Sequence, residues 1–77
     1  MNILVCSFES QHELAHQLWK EGHVIEEYLI TSPVNEAELM RLMSWADKVM
    51  CQTDDEKKII AFMEIFNRKI EVVKCTV

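Results

Sequence analysis

Reactive side chains crowd toward the start of this chain. Cys6, Ser7, Ser10 and His12 fall within NILVCSFESQHELAHQLWKEG, the stretch from Asn2 to Gly22, the single glycine. A thiol beside a helix N-terminus can have its pKa lowered and act as a nucleophile. The free N–H groups of a first helical turn, with the positive end of the helix dipole, also favour an anion. Cys6 is therefore the candidate nucleophile. Its plainer alternative is a cysteine that ends a buried strand and fills core. Ser7, Phe8, Glu9, Ser10 and Gln11 are the candidate binding residues of this loop. Gln52, Thr53 and Asp54, directly after Cys51, form a second candidate group.

The elements that must position these groups follow from apolar spacing. Ile3, Leu4 and Val5 form a continuous apolar run, as in a strand covered on both faces. Ser10-Gln11-His12-Glu13 matches a capping box, with Ser10 as N-cap. Leu14, Ala15, Leu18 and Trp19 then make one helical stripe, and Gly22 suits the left-handed position that ends a helix. His23 to Ile30 reads as a second strand, with Glu26 and Glu27 marking it as an edge. A second helix is capped by Asn35 with Glu38, or by Ser32 with Pro33 at the first helical position. It buries Leu39, Leu42, Met43 and Ala46 and ends at Asp47-Lys48. Val49, Met50 and Cys51 make a third strand. Thr53-Asp54-Asp55-Glu56 is another capping box, whose helix turns Ile59, Ile60, Phe62, Met63 and Phe66 inward. Asn67-Arg68 turns the chain into a fourth strand, Ile70 to Cys75, with charges at Glu71 and Lys74.

Strands alternating with helices of about 12 residues give βαβαβαβ, hence a parallel sheet with right-handed crossovers. The purely apolar first and third strands belong at the centre, and the charged second and fourth at the edges. The expected fold is a three-layer α/β/α domain with a four-stranded parallel sheet in the flavodoxin-like order 2-1-3-4. Its ligand crevice lies where the winding reverses, over the C-terminal ends of strands 1 and 3. The loops after Cys6 and Cys51 meet there.

Seventy-seven residues, 49% hydrophobic and 27% charged, make one domain, residues 1–77. No apolar run approaches the roughly 20 residues of a membrane span, and no signal peptide opens the chain, so a cytoplasmic protein without a membrane partner is expected. The net charge of −5, from 8 Lys and Arg against 13 Asp and Glu, disfavours nucleic acid, whose phosphates need basic partners. The acidic balance suits a partner protein with a basic surface, and the scatter of the carboxylates disfavours a nucleic-acid mimic. Cys6, Cys51 and Cys75 are odd in number and form no C-x-x-C pair, as expected of reduced, buried thiols. With His12 they offer a zinc donor set, but such sites use close-spaced pairs and these ligands come from three strands. No metal and no cofactor are expected. His12 and His16 share one helix face without an H-E-x-x-H pattern and read as solvated. Trp19, Trp45 and Met40 read as core.

The run ILVCS with its turn and helix, the Pro33-Val34-Asn35 start of the second helix, and Trp45-Ala46-Asp47 before a strand resemble the low-molecular-weight protein tyrosine phosphatases, above all their short bacterial and phage phosphatase-like members. The resemblance spans nearly the whole chain. It implies a phosphate loop of the form C-x5-R-[ST], in which Cys6 holds the nucleophile's place, His12 the arginine's and Glu13 that of the Ser or Thr. Arginine offers a permanently charged, bidentate fork, whereas histidine is mostly neutral near pH 7. Glu9 and Glu13 add negative charge where a dianion would sit, and the loop has no glycine. The family's general-acid aspartate follows the last strand, and no aspartate follows Lys74 here.

The first expectation is therefore a non-catalytic phosphatase-like domain, a pseudoenzyme acting as a small protein-binding or regulatory module through the crevice rim or an acidic helix face. The second is a phosphatase or thiol enzyme using Cys6, with His12 in place of arginine. The third is an anion or nucleotide binder at the first helix's N-terminus. What separates them is whether residues 6–12 wrap into a ring of inward-pointing amides or run straight into the helix.

Overall fold

The computed structural model of the protein describes residues 1–61 and 70–74. Strands β1 (Asn2–Ser7), β2 (Val24–Leu29), β3 (Lys48–Cys51) and β4 (Val72–Lys74) alternate with helices α1 (His12–Lys20), α2 (Glu36–Trp45) and α3 (Asp54–Ala61). Each pairing among the described residues is parallel, and the order across the sheet is β2-β1-β3-β4. The α/β, flavodoxin-like winding expected from strand polarity is the observed one. The inward positions expected at Phe62, Met63 and Phe66, the turn at Asn67-Arg68 and the strand end at Cys75 lie outside the described residues.

The apolar run of β1 has a direct physical cause. Its alternate residues enter two separate cores: Leu4 and Cys6 join Leu39, Leu42 and Met43 of α2 and Ile60 of α3, while Ile3 and Val5 join Leu14 and Leu18 of α1. A strand buried on both faces has no polar side to alternate with. The chain leaves β1 for β2 in one direction and returns past it to β3, so crossovers of one hand put α1 and α2 on opposite faces. Leu4, Leu39, Met43 and Ile60 are fully buried, each contributing about 1.5–3 kcal/mol of apolar transfer.

The helix ends show which local signals survive. α1 closes in a Schellman arrangement: the Gly22 N–H donates to the Trp19 carbonyl at 3.0 Å and the His23 N–H to that of Leu18 at 3.3 Å. Gly22 sits at φ +96°, where a side chain would be strained. α2 starts at Asn35, whose Oδ1 accepts from the Glu38 N–H at 3.2 Å. The Ser32 alternative is not used.

Several expectations need correction. Ser10 does not cap α1. Gln11 is the N-cap residue, without a side-chain cap, and the Ser10 hydroxyl meets His12 Nε2 at 2.9 Å. Trp19 is 64% exposed and Met40 39%, so neither is core, whereas Trp45 is half-buried against it. The stripe of α1 is narrow: Leu14 and Leu18 fill it, and the 100° step to Trp19 turns the indole outward to stack on His16, centroids 6.0 Å apart. β3 takes in Lys48, expected at the end of α2, and β2 is shorter than expected by His23 and Ile30.

Candidate functional site

The loops after β1 and β3 do meet over the strand C-termini. Phe8, Glu9, Gln11, Gln52, Thr53 and Glu56 line a polar cleft of about 270 Å³. On the other side of Phe8 lies an apolar cleft of about 320 Å³, formed with Ile30, Thr31, Ser32, Val34 and Ile59. Phe8 is the shared wall and is 49% exposed. The sequence had singled out the polar half of this region and Phe8 itself. The apolar half draws on the segment after β2 and on α3.

The cysteines are on the floor of the site, out of reach. Cys6 and Cys51 are register partners on adjacent strands, and both are fully buried. Burial, then neighbouring Cys51 and Glu56, drives the Cys6 thiol far above its usual range. Burial and then Glu56 push Cys51 up to about 12, with Lys57 opposing. A thiolate costs too much in an apolar layer beside a carboxylate, so both groups stay protonated at neutral pH.

Two of the loop amides are already occupied. The Phe8 N–H donates to Glu56 Oε2 at 2.6 Å, and the Gln11 N–H to Glu27 Oε1 at 3.1 Å. Glu27 is on β2 and Glu56 on α3, so the two amides address acceptors on opposite flanks of β1 and share no focus. Glu56 is 3% exposed. Its other oxygen accepts from the Thr53 N–H and the Thr53 hydroxyl, both at 2.9 Å, while the Glu56 N–H donates to Thr53 Oγ1 at 3.2 Å. The expected box at α3 is thus complete, and its glutamate also holds the first loop.

The remaining candidates take surface or structural positions. Ser7 is buried and its hydroxyl donates to the Glu9 carbonyl. His12, its side chain 85% exposed, lies 3.7 Å from Glu27 and beside Ser10. Gln52 is half-buried in the polar cleft, and Asp54 lies 3.5 Å from Lys74 Nζ at the surface. Glu9 and Ser10 are exposed. Among the described residues, no three of His, Cys, Asp and Glu gather to hold a metal ion, and no helix is long and apolar enough to cross a membrane.

No family model, curated protein or solved structure matches the chain.

Two of those residues, Glu27 and Glu56, carried no functional signal in sequence. Glu56 was visible only as a capping residue. Glu27 looked like a solvated edge charge, and its reach back to the Gln11 amide depends on the lateral pairing of β2 with β1.

Proposed function

We propose that this domain works by binding a partner protein at the crevice rim, as a phosphatase-like scaffold without phosphatase chemistry. The observation that carries the reading is Glu56. Its carboxylate stands where the loop would otherwise present an amide to an external anion, and it adds negative charge above Cys6. A phosphoryl dianion would have to displace this buried carboxylate and meet Glu9 in the same cleft, with no arginine among the described residues that line it. A phosphatase or thiol enzyme needs a thiolate, and an anion binder needs free amides; the positions of Cys6 and of the two carboxylates oppose both.

Binding suits the rim better. Phe8 projects from a loop held at both ends by carboxylates, so its exposed ring is pre-positioned at little entropic cost. The apolar cleft beside it can take a side chain of a partner, and Glu9 and Asp54 favour a basic surface around that contact. The chemical test is burst release of nitrophenol from an aryl phosphate, with Cys6→Ser as control. No Cys6-dependent burst is expected, and inorganic phosphate should leave Tm unchanged at millimolar concentration. A burst abolished by Cys6→Ser would return the site to enzymology. The binding arm uses a photo-crosslinking phenylalanine analogue at position 8. It should capture one defined partner from native extract, with capture lost when Glu9 and Asp54 are changed to lysine.

A further inference from the structure

The second surface is the outer edge of the sheet at β2, away from the crevice. β2 pairs with β1 alone among the described residues. The Val24 and Ile30 N–H groups donate to the Met1 and Ser7 carbonyls of the β1 side. The alternating residues Ile25, Glu27 and Leu29 therefore turn their N–H and C=O groups outward, as a row that another strand can pair with. The side chains along this row are unusual for an edge left to solvent. Val24 is 57% exposed and Leu29 50%, one on each face of the sheet at either end of the strand. Between them Glu26 and Glu27 project to opposite faces, since successive strand residues alternate; Glu26 is exposed, and Glu27 keeps its negative charge while one oxygen accepts from the Gln11 N–H.

That arrangement discriminates between occupants. Antiparallel pairing with a second copy, in the two registers of greatest overlap, sets Glu26 against Glu26 or Glu27 against Glu27. Like charges directly opposite are destabilising, so the glutamates guard the edge against self-association. The same two charges attract a strand that carries consecutive basic residues, one for each face, with apolar residues two positions out to cover Val24 and Leu29. Side chains directly opposite across strands lie about 5 Å apart at Cβ, within ion-pair reach.

We infer that β2 is a docking edge for an extended segment of another protein with the pattern apolar-x-basic-basic-x-apolar, added to the sheet as a fifth strand. This goes beyond the crevice reading: Glu27, which also holds the Gln11 amide, is the one residue the two readings share, and either can fail alone. Main-chain pairing supplies attachment and the two glutamates supply selectivity.

The test is a nuclear magnetic resonance titration of the full chain with the blocked hexapeptide Val-Thr-Lys-Lys-Thr-Val, and with its Glu-Glu counterpart. The lysine peptide is expected to shift the amides of Ile25, Glu27 and Leu29 and to slow their hydrogen exchange. The Glu-Glu peptide should bind roughly tenfold more weakly, and added salt should narrow the gap. Glu26→Lys, at an exposed side chain, should abolish the preference, because either peptide then meets one attraction and one repulsion, while leaving the Phe8 resonances in place. Absence of slowed exchange at saturating or millimolar peptide overturns the inference, as do equal binding of both peptides and shifts confined to the Phe8 loop. Broadening of the β2 amides with protein concentration alone also overturns it, by showing that a second copy takes the edge.

Discussion

The two helices that rise from the crevice begin in opposite ways. α3 is capped by its own sequence, with Thr53 and Glu56 exchanging three hydrogen bonds across its first turn. α1 has an equivalent tetrapeptide, Ser10 to Glu13, and does not use it. The segment leading into α1 is held instead by carboxylates 16 and 48 residues away in sequence, Glu27 and Glu56. A capping box forms when the loop before the helix is free to follow the cap's geometry. Before α1, acceptors already fixed on β2 and α3 claim the Gln11 and Phe8 amides. Glu56 belongs to both arrangements, so the cap of α3 is also the clamp of the α1 loop.

Removing that shared carboxylate should break both helix starts at once and has the largest expected effect. Glu56→Ala leaves the Phe8 and Thr53 N–H groups without their acceptor in a part-buried setting, which should cost about 3 kcal/mol in urea unfolding. Glu56→Gln keeps one acceptor oxygen and should cost less. A cost for Glu56→Ala no larger than that of Thr53→Ala would show that the Phe8 contact contributes nothing and that the two helix starts are independent.

Beneath the helices the contrast disappears, because Cys6 and Cys51 occupy matched strand ends in one apolar layer. Both thiols are raised by burial. Above pH about 9 the unfolded chain loses thiol protons that the folded chain keeps, so unfolding becomes easier as pH rises. The slope should be about 1.4 kcal/mol per pH unit for each thiol until the folded thiol titrates, near 12 for Cys51. Unfolding curves between pH 8 and 10.5 check this, and Cys6→Ala should remove one thiol's share of the slope. A slope unchanged by both Cys6→Ala and Cys51→Ala would place the alkaline sensitivity elsewhere.

The winding of the sheet was legible because burial on two faces and burial on one leave different sequence patterns: Ile3-Leu4-Val5 against Val24-Ile25-Glu26-Glu27. The helix-ending role of Gly22, the cap at Asn35 and the box at Thr53 were legible because each is satisfied within a few residues. What stayed hidden depends on lateral neighbours. Nothing near Glu27 in sequence announces the Gln11 amide, and nothing near Glu56 announces Phe8. Trp19 was misplaced for a related reason: its spacing fits the stripe of α1, but Leu14 and Leu18 already cover the face that α1 presents to the sheet. The apolar cleft beside Phe8 needed Ile30 and Val34 from the segment after β2 and Ile59 from α3.

The smallest expected effects come from the caps themselves, and they separate a motif that is present from one that is used. Thr53→Ala removes an acceptor for the Glu56 N–H and a donor to the Glu56 carboxylate, and should cost about 1 kcal/mol. Ser10→Ala removes the hydroxyl of the better-looking S-x-x-E sequence, yet that hydroxyl touches only the exposed His12 ring among the described residues. Its cost should fall within about 0.5 kcal/mol of zero, as for a surface substitution. If Ser10→Ala instead costs as much as Thr53→Ala, the local box at α1 forms in solution. The Glu13 N–H would then donate to Ser10 Oγ and the Ser10 N–H to the Glu13 carboxylate, the reciprocal pair that Thr53 and Glu56 make at α3.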